Sequence, residues 1–149
     1  MRRPKHIAGL PVLSVRQPYA SALVTGHQHR KGKRCENRSR RTRYRGWMVV
    51  VATKRRYKSA DIPEVFKPHL PKSTQIHVAV GLIKISDCRP VDVPGAENAF
   101  WRTGPWCWGT SHSVRFDFMY TMKGALWIQK APAGLDAMYQ QMRVRRPRH

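Results

Sequence analysis

Acidic side chains are scarce in this chain. Eight Asp and Glu stand against 29 Lys and Arg, a formal net charge of +21 over 149 residues. Glu36 is the only acid in the first sixty residues, which hold seventeen of the Lys and Arg; the other twelve share residues 61–149 with seven acids. Charge of this size opposes a compact fold by self-repulsion unless a polyanion offsets it. Nucleic acid is therefore the expected partner, with a membrane surface second. Long apolar runs are also missing, and none reaches the roughly eighteen residues of a transmembrane helix. The basic start MRRPKHIAGLP is followed by no apolar signal core, so export is not expected, and room is left for an organellar presequence. Cysteine is sparse: Cys35, Cys88 and Cys107 are odd in number and widely spaced. That excludes a disulfide framework and suits free thiols in a reducing, cytoplasmic setting.

What is present argues for a folded domain. Hydrophobic residues make up 41% and there are five Trp, whereas disordered chains lack aromatics. Residues 1–9 read as a flexible basic arm. Pro11–Val15 (PVLSV) reads as a buried strand. Pro18 opens a short helix with Tyr19, Ala20, Leu23 and Val24 as its apolar stripe and Gly26 as its stop. Residues 27–45 hold almost no aliphatics and read as a long exposed connection. Trp47–Thr53 is the clearest strand, and Ile76–Ile85 a second, with Gly81 a bulge or close-approach point. Ser59 is the expected cap of a short helix that ends before Pro68. Pro90–Pro105 reads as loop, Trp106–Phe118 as strand in its second half, and Ala125–Gln129 as a shorter strand. Leu135, Met138, Tyr139 and Met142 sit at helical spacing. The sum is one mostly β, barrel-like α+β domain of about five strands and two to three short peripheral helices, over residues 10–131. A C-terminal helix and basic tail follow over 132–149.

Two constellations bear on chemistry. Arg38, Arg40, Arg41, Arg43 and Arg45, with Tyr44 and Trp47 nearby, have the composition of a phosphate-binding loop, since Arg offers forked donors to phosphate and stacks on bases. Lys33-x-x-Glu36-x-Arg38 is the second. Fully extended, this spacing covers about 17 Å, so the three converge only through a bend. Converged, Glu36 serves as an acid, a base or a hydrogen-bond acceptor; taken alone, the residue types favour a structural ion pair. His27-x-His29 with Cys35 lacks the spacing of a metal site, and no metal or cofactor is expected. Cys35 has no committed base to make it a nucleophile. Trp101, Trp106, Trp108 and Trp127 read as packing, with one or two available for base stacking.

The order LSVRQPYASALVTG, loop, GKRCENR, YRGWMVVVATK resembles the ASCH family, named for homology to an activating signal cointegrator. The resemblance extends through VAVGLIKISDCRPV, GPWCWGTSHSVRF and KGALWIQ, roughly residues 10–130. It implies a PUA-like β-barrel with a ligand cleft between barrel and first helices. Arg16, Gln17, Pro18, Tyr19, Lys33, Glu36, Arg38, Arg45 and Gly46 would line or shape that cleft. Arg40, Arg41 and Arg43 would contact phosphates, together with Lys54, Arg55 and Arg56. The implied activity is binding of RNA or single-stranded nucleic acid, with a modified nucleoside as a further ligand. One family branch instead removes acetyl from N4-acetylcytidine, and another has ribonuclease activity. Lys33 matches the amidohydrolase lysine, but Glu36 stands where that branch has Thr, and no acid lies between Ile76 and Ser86 to supply its later Glu. A hydrolase using Lys33 and Glu36 is thus the alternative, and a basic scaffold of a ribonucleoprotein a third. HQHRK, between Gly26 and Gly32, is an insertion relative to the family turn.

Overall fold

The computed structural model describes residues 3–72, 74–93, 99–125 and 129–146. Among these residues six strands form one sheet: β1 (Pro11–Val15), β2 (Cys35–Arg38), β3 (Gly46–Ala52), β4 (Val78–Pro90), β5 (Trp106–Arg115) and β6 (Gln129–Lys130). Their order is β2-β5-β4-β3-β1-β6. Only β1 and β3 run parallel; the other pairs are antiparallel. Helix α1 (Tyr19–Val24) makes the crossover after β1, and α2 (Ala133–Arg145) closes the chain. Short 3-10 turns occupy Ser59–Asp61, Glu64–His69 and Ala99–Trp101. The architecture is a curled half-barrel, mostly β, with short helices. No helix among the described residues is long and apolar enough to cross a membrane.

The period-two alternation of β3 explains both layers. Met48, Val50 and Ala52 face α1 and pack with Leu13, Leu23, Ile83 and Ile85. Val49 and Val51 face the other side, against Val12, Leu82 and the α2 residues Leu135, Tyr139 and Met142. Each of those large side chains contributes about 1.5–3 kcal/mol on full burial. The β3–β4 register shifts between Val50 and Val51, beside Gly81. A Cβ on Gly81 would lie 2.1 Å from the Val114 carbonyl oxygen and 2.8 Å from Val24 Cβ. Close approach of α1 and β5 is therefore what this glycine serves.

Several sequence expectations change. The connection expected over 27–45 contains β2, whose Cys35 and Glu36 are buried. Pairing with β5 supplies what its composition lacks. Residues 3–9 are tied down rather than loose: Ile7 is fully buried, its amide donates to Asp136 Oδ1 at 2.8 Å, and Tyr139 Oη donates to the Pro4 carbonyl at 2.6 Å. Lys58 rather than Ser59 stands at the cap of the first 3-10 turn, without a side-chain capping bond, and Pro68 lies inside the second 3-10 turn, which tolerates it where an α-helix would not. Strand β5 spans all of Trp106–Arg115. Most of the strand expected at Ala125–Gln129 lies outside the described residues, as does Trp127.

Candidate functional site

Strand β2 places the charged cluster by alternation. Cys35 and Asn37 point to one side, where Cys35 packs with Trp101 and Cys107. Asn37 holds the adjoining loop, donating to the Trp101 carbonyl at 2.8 Å and accepting from the Thr103 and Gly104 amides at 2.9 and 3.0 Å. Glu36 and Arg38, two residues apart, share the opposite side and sit in register with Trp108 and Trp106. Lys33 precedes the strand and bends back, so that its Nζ donates to the Cys35 carbonyl at 2.6 Å. That bend removes the reach problem posed by a fully extended segment.

The three side chains converge. Arg38 donates to Glu36 Oε2 at 3.1 Å and to the Ser14 carbonyl at 3.2 Å. Ser14 belongs to β1, separated from β2 by three strands in the sheet order. Arg38 is thus a clasp across the curl as well as a partner of Glu36. Lys33 Nζ stands 4.0 Å from Glu36 Oε1, beyond hydrogen-bond reach, so that oxygen can still accept a donor. The Lys33 ammonium also lies 5.6 and 5.7 Å from the ring centroids of Tyr19 and Trp101, within cation–π range. Lys33 is 3% and Glu36 6% exposed. Burying such charges is costly unless each is paired and hydrogen-bonded, and here the carbonyl, the rings and Arg38 all contribute.

Aromatic rings extend the site. Tyr19 meets Tyr57 edge-on at 5.3 Å and Phe66 at 6.3 Å, and Phe66 stacks on Trp101 at 4.7 Å. Burial, and then Tyr57, raise the Tyr19 pKa. Arg16 lies over the Tyr57 ring at 3.8 Å and donates to the Arg56 carbonyl at 3.2 Å. The Gln17 amide is fully buried, donates to Ser21 Oγ and the Gln75 carbonyl, both at 2.8 Å, and accepts from the Ser21 amide at 3.0 Å. It is thus committed to fixing the start of α1.

The arginine segment follows β2 directly. Trp108 Nε1 donates to the Arg40 carbonyl at 2.9 Å, and Tyr44 Oη to the Trp47 carbonyl at 2.7 Å, which holds the backbone while Arg40, Arg41, Arg43 and Arg45 stay exposed. Arg45, still exposed, donates to the Thr42 and Tyr44 carbonyls at 3.1 and 2.9 Å. Lys54, Arg55 and Arg56 are exposed, but Arg56 is committed to Thr74. Spacing alone did not reveal Ser14, whose carbonyl Arg38 grips, nor Trp108, above whose ring the guanidinium carbon lies at 5.7 Å. The tryptophan of WCWGT was visible, but its partner depends on strand pairing.

No group of three potential metal ligands comes together among the described residues. His27 instead shares a 2.8 Å hydrogen bond with Thr110 Oγ1, and its ring stacks 6.4 Å from His112. Burial, with Arg34 and His112 adding repulsion, pulls its pKa from 6.5 to about 4, against a hydrogen bond to the Thr110 backbone. Between those values the unfolded chain binds a proton that the folded one refuses, so stability falls as pH drops through this window and levels off below it. Urea midpoints measured from pH 7 to 4 should fall less steeply for His27→Gln than for the wild type. Identical slopes would remove His27 as their source.

The chain matches no protein-family model and no curated protein.

Proposed function

We propose that this protein binds RNA, or another single-stranded nucleic acid, as an ASCH-type, PUA-like domain. The observation that carries the reading is Glu36: a buried carboxylate clamped on one oxygen by Arg38, with the other oxygen able to accept a hydrogen bond. A lone carboxylate facing phosphates would repel them, whereas one that meets the amino or imino donors of a base edge can select a base. Tyr19 and Trp106, both only partly buried, offer ring surface, and the exposed Arg40, Arg41 and Arg43 offer phosphate contacts. Phosphate contacts fix position without reading sequence, which divides the labour between the arginine segment and Glu36. Lys33 is anchored on a carbonyl and between two rings, a setting that suits a fixed cation better than a mobile proton carrier.

A salt titration of binding to single-stranded RNA, duplex RNA and duplex DNA tests this. On single strands each phosphate contact adds about −0.7 to the slope of log K against log salt. Arg41→Glu with Arg43→Glu should therefore make the slope shallower by about 1.4. A wild-type slope near zero sinks the reading. Turnover of N4-acetylcytidine or cleavage of RNA, lost in Glu36→Gln while binding survives, would replace it with the hydrolase.

A further inference from the structure

The insertion HQHRK has a place of its own. Gly26 and Gly32 bring the loop ends together, since a Cβ on Gly32 would lie 2.0 Å from the Gly26 carbonyl oxygen. Gln28 Nε2 donates to the Ser113 carbonyl at 3.0 Å, and Trp101 Nε1 to the Lys31 carbonyl at 2.9 Å, so the loop is pinned to the barrel on two sides. Pinned this way, it forms one wall of a groove of about 1290 Å³. Val78–Val80 of β4 and Val114–Phe118 also line this groove, and Arg146 lines it farther along; Lys33 and Glu36 do not.

We infer that this groove is a second nucleic-acid contact, separate from the Glu36 cluster, which holds the phosphates of a continuing single strand against Lys31 and Arg115. The inference rests on the nucleic-acid reading above. The volume exceeds the roughly 300–1,000 Å³ of small-molecule pockets, which favours an extended ligand. Lys31 and Arg115 are exposed basic residues on the groove lining. Asp117 is the only acid among the described lining residues, and Arg145 and Arg146 hold it at 2.8 and 2.6 Å. Phe118, stacked on Phe116 at 4.7 Å, adds a partly exposed ring. A basic track beside aromatic surface is the common build of single-strand sites.

The test uses the full chain with a 4-mer and a 15-mer of oligouridine, followed by fluorescence anisotropy. Lys31→Glu with Arg115→Glu should weaken the 15-mer at least about tenfold and make its salt slope shallower by about 1.4, leaving the 4-mer unchanged. Lys31→Gln with Arg115→Gln should give a smaller loss in the same direction, and circular dichroism checks that both pairs fold. An unchanged 15-mer affinity in both pairs overturns the groove. So does binding of polyglutamate that depends on these two residues while RNA binding does not, which would mark an acidic-peptide site. If the wild type binds neither RNA, or binds with a salt slope near zero, the nucleic-acid reading itself fails and the groove with it.

Discussion

Glu36→Ala is expected to destabilise the fold by about 3–5 kcal/mol, the usual cost of removing one partner from a buried ion pair. At roughly 2–4 °C per kcal/mol for a domain of this size, the melting temperature should fall by roughly 6–20 °C. The effect is large because the side chain carries two structural duties. It is the carboxylate partner of Lys33, which is almost fully buried, and it orients Arg38, whose other bond reaches Ser14 on β1 and holds the curl. Without it, Lys33 is left as a buried cation with no carboxylate beside it. Glu36→Gln keeps the shape and an oxygen for Arg38 but still leaves buried Lys33 without a countercharge, so its loss should be smaller than that of Glu36→Ala without vanishing. In the proposed reading that amide variant keeps the salt slope but loses discrimination among bases, because an amide nitrogen offers donors where the base edge also has them. Thermal melts by circular dichroism and competition between homopolymers read the two effects separately. A melt of Glu36→Ala within about 2 °C of the wild type would mean that no buried pair is broken.

The elements readable in the sequence are those whose burial is carried by their own side chains. Trp47–Thr53 and Pro11–Val15 announce themselves because Met48, Val50, Leu13 and Val15 fill the face toward α1. Strand β2 does not, because CENR holds no aliphatic residue; its order comes from β5, and its partner lies some seventy positions away. The cluster of Lys33, Glu36 and Arg38 was readable as a pattern and not as a geometry. Nothing in the spacing shows that Lys33 turns back on Cys35 or that Arg38 crosses to Ser14. Gln17 shows another limit of the sequence: a polar residue at a helix start reads as a ligand contact, and only the structure shows that Ser21 and Gln75 occupy its amide. Composition located the charge correctly, but it cannot tell an arginine exposed on a loop, such as Arg41, from one engaged by Thr74, as Arg56 is.

Gly26→Ala should be the other severe substitution, costing more than about 3 kcal/mol, at or beyond the upper end of ordinary overpacking. In the sequence Gly26 reads as a helix stop, yet its φ is not in the left-handed region that would demand glycine. The demand is spatial. A Cβ there would stand 1.8 Å from the Lys33 carbonyl oxygen and 2.7 Å from its carbonyl carbon, and a backbone atom cannot swing aside as a side chain can. Gly9→Ala is the matched control: nothing lies within 4 Å of its added Cβ, but its φ of +83° leaves a backbone penalty, roughly 1–2 kcal/mol. Urea unfolding should therefore rank the pair with Gly26→Ala clearly lower in midpoint. Equal midpoints would show that the loop relaxes freely. The clash also reaches the site, because the residue that must move is Lys33. Nucleic-acid binding should fall together with stability in Gly26→Ala, whereas Glu36→Gln should separate them, and that contrast distinguishes a displaced cluster from an altered one.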